Sequence, residues 1–102
     1  MQKPPKHHNR LHERHPDFMR AVDALGESVK HAGPLDQKTC ELIQLAAAAA
    51  SRSEGAVHSH CRRAQDAGAT RDEVHHTLLL LTSTIGFPTV SAAMSWADDV
   101  IK

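Results

Sequence analysis

The chain of 102 residues has the length of a single domain, and its 12 Lys and Arg are balanced by 12 Asp and Glu. The charge balance argues against a protein that grips nucleic acid electrostatically, and the 40% apolar composition argues against disorder throughout. The aromatic residues are Phe18, Phe87 and Trp96, so the core must be built from Ala, Leu, Val and Ile. Such a core buries modest area per residue, and we therefore expect an oligomer to supply more burial.

The first 15 residues are predicted to be a flexible N-terminal arm, followed by a helical domain over residues 16–102. The arm is rich in histidine and contains a single large aliphatic residue, Leu11. It offers too little apolar surface for a packed core. Its histidines are His7, His8, His12 and His15.

The predicted location is the cytoplasm. No stretch reaches the roughly 18 to 20 apolar residues of a membrane span, so we expect no membrane association. The N-terminus lacks the apolar segment of a secretory signal. Cys40 and Cys61 do not form a closely spaced pair, which is typical of a cytoplasmic protein with reduced thiols.

An all-α bundle of about five helices is predicted, because the chain has helical periodicity and lacks strand signals. The apolar face of the first helix consists of Phe18, Val22, Leu25 and Val29. The first helix ends before Gly33-Pro34. The second helix is expected to start at the N-cap Asp36, to run through an alanine-rich stretch and to end near Arg52.

The third predicted helix spans Glu54 to Ala67 and is closed by Gly68 as the C′ glycine. A Thr-x-x-Glu capping box at Thr70 then opens a fourth helix that runs to Ile85. Because Leu78 to Leu81 make this helix apolar almost all round, we expect it to be central or at a subunit contact. After Gly86-Phe87-Pro88, the face of a fifth helix is marked by Val90, Met94, Ala97 and Ile101.

The third helix holds the main candidates for chemistry. His58 and His60 are two residues apart, roughly 200° around a helix, so they cannot share a face. A histidine that points inward can act as a general acid or base near neutral pH. The alternative is a core histidine held by a backbone or side-chain partner.

Glu41, near the start of the second helix, is a candidate for a partly buried carboxylate because Leu42 and Ile43 follow it. Paired with a histidine of the next helix, it would orient that histidine or relay a proton. Alternatively, it is an acidic residue in the first turn, where the helix dipole favours it.

Glu54 and His58 have the i, i+4 spacing of either a metal chelate or a solvated helical pair. Two ligands are too few for zinc, and adding His75-His76 or the histidines of the arm gives no spacing of a closed site. Adventitious metal binding by the arm stays open. We therefore predict a solvated pair and no metal cofactor.

Cys61 lies between His60 and Arg62-Arg63, where positive charge favours a nucleophilic thiolate. No second cysteine lies three residues away to resolve a sulfenic acid. A lone cysteine on a helix is commonly a small apolar filler. Arg62 is either part of a solvated surface or an anion clamp for a carboxylated substrate.

Four short sequences follow one another between Leu35 and Val100. The first is Leu-Asp-Gln-Lys-Thr-Cys-Glu-Leu-Ile from Leu35, with the alanine run after it, and the second is Glu54-Gly55, with His60 six residues after the glutamate. The third is His60-Cys61-Arg62-Arg63-Ala64, which leads to Ala67-Gly68-Ala69-Thr70-Arg71-Asp72-Glu73-Val74. The fourth is Gly86-Phe87-Pro88. In this order and spacing, the segment resembles the carboxymuconolactone decarboxylase superfamily, which includes the alkyl hydroperoxide reductase D proteins. The resemblance covers about two thirds of the chain and implies the alkylhydroperoxidase D-like fold.

The resemblance also implies roles for individual residues. In the hydroperoxidase branch, a Cys-x-x-Cys pair opens the third helix, but Ser53 and Ala56 occupy those positions here. His60 matches the histidine that relays protons and Glu41 the upstream glutamate. Peroxide reduction by a dithiol needs a nucleophilic and a resolving thiol, which serine and alanine do not supply. The decarboxylase branch needs no dithiol, and His60 stands at its matching position.

The leading hypothesis is a lyase without a cofactor that acts on a small carboxylated lactone. His60 would be its general acid and Glu41 its orienting or relay residue, while Glu54, His58 and Arg62 are predicted to bind substrate. One alternative is an alkylhydroperoxidase-like antioxidant protein, of peroxiredoxin type, that uses Cys61 as a single thiol. The other is a non-catalytic oligomeric binding module. The resemblance implies a homo-oligomer, a hexamer in preference to a trimer.

Overall fold

The computed structural model describes residues 6–102, which form seven helices and no strand, so the predicted all-α class is confirmed. These residues fall into two compact units, one up to Pro34 and one over Leu35–Lys102. In chain order the helices are α1 (Lys6–Arg14), α2 (Pro16–Lys30), α3 (Gln37–Ala50), α4 (Glu54–Asp66), α5 (Arg71–Leu79), α6 (Thr82–Ile85) and α7 (Phe87–Asp98).

Helix α1 lies in the segment for which the sequence predicts a flexible arm. Residues 1–5 of that predicted arm lie outside the described part of the chain. The hydrophobic pattern did not indicate α1 because its only large aliphatic residue is Leu11, so it has no apolar periodicity. The division between the two compact units follows Pro34, whereas the sequence placed a boundary between residues 15 and 16.

The apolar face predicted for the first helix is present on α2, but it is exposed. The buried residue of α2 is Met19, which directly follows Phe18 in the sequence. An exposed apolar face of this kind is typical of a surface that contacts another protein. The exposed fractions are 62% for Phe18, 42% for Val22, 64% for Leu25 and 50% for Val29.

Helix α3 starts at the predicted N-cap. The Asp36 carboxylate accepts a hydrogen bond of 2.8 Å from the Thr39 backbone N–H, which satisfies one of the donors that a helix start leaves unpaired. The same hydrogen bond holds the pKa of Asp36 below its usual range. The start of α3 fixes the position of the residues one turn later, including Glu41.

The predicted capping box at the start of α5 is also confirmed. The Glu73 backbone N–H donates to Thr70 Oγ1 at 3.1 Å, and the Thr70 backbone N–H donates to Glu73 Oε1 at 2.9 Å. The second oxygen of Glu73 accepts from Lys38 Nζ on α3 at 2.9 Å. The Thr70 backbone donor, followed by Lys38, holds the pKa of Glu73 below its usual range.

Helix α4 ends in the turn that the glycine predicted. Gly68 has a φ of +102°, a conformation that side chains with a Cβ rarely adopt. Its N–H donates to the Gln65 carbonyl at 3.0 Å, while the Ala69 N–H donates to the Ala64 carbonyl at 2.9 Å. These two hydrogen bonds form a Schellman motif, so glycine closes the helix as expected.

The prediction of one helix from Thr70 to Ile85 is wrong, because α5 ends at Leu79 and α6 starts at Thr82. The Leu81 N–H donates to the Leu78 carbonyl three residues back, so the hydrogen-bond ladder tightens at this point. The hydroxyl and β-branched residues of α6 are weaker helix formers than the leucines before them.

The core of the Leu35–Lys102 unit is made largely of alanine, with leucine, valine and one cysteine. Small side chains let the helix backbones approach closely, and α3 packs most extensively against α4. Phe87 is 67% exposed, and Trp96 packs only partly against the core. The buried members are Leu45, Ala48, Ala49, Val57, Cys61, Ala64, Ala69, Val74, Leu78, Ala93, Ala97 and Val100.

Within residues 6–102, no helix has both the length and the apolar character needed to cross a bilayer.

Replacing Thr70 by Ala removes the side-chain half of the capping box, and we expect it to lower the free energy of unfolding by about 1 kcal/mol. Urea unfolding followed by circular dichroism measures this change. Thr70→Ser is the matched control, since serine keeps the accepting hydroxyl and should remain close to wild type. Equal stability of Thr70→Ala and wild type would show that the box contributes nothing to α5.

Candidate active site

Glu41 is a fully buried carboxylate, with an exposed fraction of 0%. It lies one turn beyond the capped start of α3, and the buried Leu45 and Ala48 follow it on the same helix. Taking a carboxylate out of water costs several kcal/mol unless a partner compensates for the lost hydration. The position of Glu41 therefore demands a polar partner inside the fold.

His60 on α4 is that partner. Its Nδ1 atom lies 2.9 Å from Glu41 Oε1, and its side chain is 20% exposed. His60 directly precedes the buried Cys61 and follows the buried Val57 by three positions, so it sits at the margin of the buried face of α4. The pair thus joins a buried oxygen on one helix to a partly accessible ring on the next.

The tight connection between α3 and α4 brings the two residues together, although they are 19 positions apart. Arg52 turns the chain with a φ of +56°, a left-handed conformation, and its guanidinium donates to Thr89 Oγ1 at 2.8 Å. Ser53 then caps α4 by accepting from the Ala56 backbone N–H at 3.3 Å. The turn and the cap set the register of α4 against α3.

The geometry of the pair is suited to proton transfer. A carboxylate that accepts from the Nδ1–H of a histidine fixes the tautomer and the orientation of the ring and stabilises the imidazolium form. The ring nitrogen facing away from Glu41, Nε2, is then the one that can give or take a proton. A histidine held in this way has the orientation that a general acid or base requires.

Comparisons with known proteins identify the family of the chain. The sequence model of the carboxymuconolactone decarboxylase family matches residues 16–99. The chain belongs to this family. It is also similar to the crystal structure of an apo carboxymuconolactone decarboxylase family protein from Legionella pneumophila, with 27% sequence identity, a TM-score of 0.77, and coverage of 92% of this chain and 87% of the other. No curated protein matches the chain.

Family membership and the fold neighbour confirm the resemblance drawn from the sequence. The resemblance places the dithiol of the hydroperoxidase branch at positions 53 and 56. In this chain, Ser53 is the N-cap of α4, and its hydroxyl accepts a hydrogen bond from the Ala56 N–H. The positions that would carry redox chemistry stabilise a helix start instead.

Cys61, the thiol of the antioxidant alternative, is a core residue with an exposed fraction of 0%. Burial raises the pKa of its thiol to about 11, and the positive charge of Arg62 only partly opposes this. The sequence suggested that flanking arginines would favour a thiolate, but desolvation outweighs them. The structure supports the other interpretation, a small apolar filler.

The three residues predicted to bind substrate lie on another face of α4. Glu54, His58 and Arg62 succeed one another at four-residue intervals, so they share one side of the helix, and His60 is roughly 200° from both His58 and Arg62. His58 Nε2 contacts Asp99 Oδ2 at 3.0 Å instead of forming the predicted pair with Glu54. This geometry separates the predicted substrate residues from the Glu41–His60 pair of the same chain.

His58–Asp99 has a counterpart in His75–Asp98, with a distance of 2.8 Å between His75 Nε2 and Asp98 Oδ1. Two neighbouring aspartates at the end of α7 thus receive histidines from α4 and α5. These contacts hold the helix ends together. They give His58 and His75 a structural role between helices.

Gln44 is a further polar residue of α3 that could belong to the site and that the sequence patterns did not single out. It lies three positions after Glu41, hence on the same side of α3. Its Oε1 atom is buried and accepts no hydrogen bond from any described residue. Buried acceptors without partners are rare and cost about 1–3 kcal/mol. The signal that could have found it is a second polar residue one turn beyond a buried carboxylate, within an otherwise apolar helix.

The thiols should differ strongly in reactivity. At pH 7.5 we expect iodoacetamide to label Cys40 and to leave Cys61 unmodified in the folded protein, because both burial and the raised pKa suppress the Cys61 thiolate. Peptide mass spectrometry after timed labelling measures both sites. In urea the two rates should converge, which serves as the control. Rapid labelling of Cys61 in the folded chain would contradict the core assignment.

Proposed function

We propose that the protein is a lyase of carboxymuconolactone decarboxylase type, which acts on a small carboxylated lactone and needs no organic cofactor. The observation that carries this proposal is the hydrogen bond between His60 Nδ1 and the fully buried Glu41 carboxylate. Membership of the carboxymuconolactone decarboxylase family supports the reaction class.

The reaction proceeds in two steps on the substrate. The carbon–carbon bond to a carboxylate breaks, carbon dioxide leaves, and the electron pair moves into the system conjugated with the lactone carbonyl, giving an enolate. The lactone is its own electron sink, so no further group is needed to hold the electrons. A proton donor then converts the enolate carbon to C–H, which completes the lactone product.

His60 is the proton donor in this proposal. Its Nε2 atom lies on the side of the ring away from Glu41, and part of the side chain is accessible to a ligand. Glu41 is a positioning residue, because it is buried and acts on the substrate only through the imidazole. The carboxylate fixes the orientation of the ring and with it the direction in which the proton leaves.

The antioxidant alternative has less support. A single-thiol peroxidase requires an accessible thiolate, whereas Cys61 is buried and its pKa is raised to about 11. The third hypothesis, a binding module without catalytic activity, would use the same fold with the Glu41–His60 pair as a structural contact only. Absence of lyase activity in the following experiment would favour this third hypothesis.

Replacement of His60 by Asn should lower kcat/KM for release of carbon dioxide from carboxymuconolactone and related carboxylated lactones by about 10²- to 10⁴-fold, the usual contribution of a general acid. His76→Asn, at an exposed histidine of α5, is the matched control and should remain at wild-type rates. Wild-type protein without activity on any of these lactones would overturn the lyase proposal and favour the binding module.

Glu41→Gln tests the positioning role by removing the charge while keeping the shape and an accepting oxygen. We expect a loss of about 10- to 100-fold in kcat with a smaller change in KM, because the His60 ring loses the carboxylate that orients it. Circular dichroism establishes that the variant is folded. A kcat equal to that of wild type in the folded variant would show that Glu41 contributes packing alone.

We further propose that the chain forms a homo-oligomer, a hexamer in preference to a trimer. Leu79 is 54% exposed, Leu80 62% and Phe87 67%, so two of the four leucines expected to be central or at a subunit contact are uncovered within one chain, while Leu78 is buried. Exposed apolar residues next to one another in sequence are typical of subunit interfaces.

Cys40 and Cys61 are free thiols, which supports the predicted cytoplasmic location.

Leu80→Glu should lower the oligomer mass measured by light scattering after size-exclusion chromatography, since a charge at a buried apolar contact is costly. Wild type is expected at six chain masses. Arg71→Glu, at the opposite end of α5, changes charge without removing apolar surface and should leave the mass unchanged. A monomeric wild-type protein would contradict the proposed assembly.

A further inference from the structure

We propose that His8, His12 and Asp23 form a zinc site that links α1 to α2. The Nε2 atoms of the two histidines are 3.0 Å apart, and His12 Nε2 lies 3.3 Å from Asp23 Oδ2. All three ligand atoms lie within 4.8 Å of one another. The site belongs to the unit that ends at Pro34, and none of its residues takes part in the Glu41–His60 pair.

Two of the three separations between the ligand atoms are close to those around one ion, and the third is within 4.8 Å. A tetrahedral zinc with Zn–N and Zn–O bonds of about 2.0 to 2.1 Å places neighbouring ligand atoms about 3.3 to 3.4 Å apart. The 3.0 and 3.3 Å distances are within a few tenths of an ångström of that value. Coordination by all three atoms then requires the His8 and Asp23 ligand atoms, which lie within 4.8 Å of each other, to approach the same distance.

The local structure explains why the two rings converge. His8 and His12 are one helical turn apart on α1, so their side chains lie on the same face. The ring centroids are 4.6 Å apart and the planes are inclined by 63°, and the two Nε2 atoms lie 3.0 Å apart. Asp23 supplies the third ligand atom from α2.

The chemistry of the donor set favours a cation over a shared proton. Two imidazole nitrogens that face each other bring their lone pairs together unless a proton or a metal ion lies between them. One proton satisfies one pair of atoms, whereas a divalent ion satisfies all three at once. Two imidazoles and one carboxylate suit zinc, and three protein ligands leave a fourth position for water.

The accessibility of the site is consistent with exchange of an ion. The side chain of His12 is 38% exposed and that of Asp23 is 50% exposed, so zinc can enter and water can occupy the remaining position. Helix α1 has only one large aliphatic residue, and polar contacts therefore carry much of its attachment to α2. An ion bound by both helices stabilises the arrangement that binds it.

The experiment is a titration of the untagged full chain with zinc sulfate against a chromophoric chelator. We expect one tight equivalent per chain in wild type. His8→Gln, His12→Gln and Asp23→Asn should each weaken binding by at least about 10-fold, the loss that even an outer-shell partner typically causes. The matched control is His15→Gln, an exposed histidine just beyond α1, which should bind zinc as wild type does.

Hydrogen exchange followed by mass spectrometry provides a second readout that does not depend on affinity. Zinc should slow amide exchange in α1 of wild type and of His15→Gln, and should leave exchange in His12→Gln unchanged. Circular dichroism without zinc shows whether each variant keeps its helices. Equal weakening by His15→Gln and His12→Gln, or zinc binding without protection of α1, would overturn the proposal and show adventitious binding by a histidine-rich segment only.

Discussion

The burial of the Glu41 carboxylate is the constraint on which the Leu35–Lys102 unit depends. A carboxylate with no exposed surface is tolerated only where a hydrogen-bond donor meets it at close range, and His60 supplies that donor at 2.9 Å. Removing His60 would leave a buried charge without this partner, while replacing both residues by apolar ones could stabilise the fold. The presence of the pair is therefore not explained by stability alone.

The alanine-rich composition is the means by which this pair is brought together. Ala48 and Ala49 on α3 and Ala64 on α4 are buried, and their small side chains allow the close approach that a 2.9 Å contact between short polar groups requires. Aromatic residues at these positions would hold the helix axes further apart. A core without fully buried aromatic rings is thus consistent with a site built between two closely packed helices.

Helix boundaries could be predicted wherever a side chain satisfies the backbone at a helix end. Asp36 and Thr70 have the oxygen that a helix start needs, and Gly68 has the conformational freedom that a helix end needs, so each appeared in the structure as expected. The break after Leu79 could not be predicted, since it depends on a change of hydrogen-bond partner within a run of good helix formers. Helix α1 was missed because polar side-chain contacts leave no hydrophobic period.

The candidate site illustrates the same division. Sequence spacing established that His58 and His60 face different ways, but it could not decide which one points inward, since that depends on the register of α4 against α3. The family resemblance matched His60 and Glu41 to a relay pair, and the structure places them in contact. Cys61 shows the limit of local charge arguments, because its neighbours in sequence are cationic while its neighbours in space are apolar.

The nine histidines of this chain acquire different meanings from their surroundings. His60 is oriented by a buried carboxylate, whereas His58 and His75 are matched to half-exposed aspartates at the end of α7. An exposed carboxylate exchanges readily with water and fixes a ring weakly, but a buried one has no such alternative and dictates the tautomer. His8 and His12 differ again, because each faces the other and a carboxylate with room for solvent, an environment better satisfied by a cation than by a single proton. Burial of the partner, rather than the histidine itself, therefore determines how firmly a ring is held, and it sets His60 apart from the histidines whose partners are half-exposed.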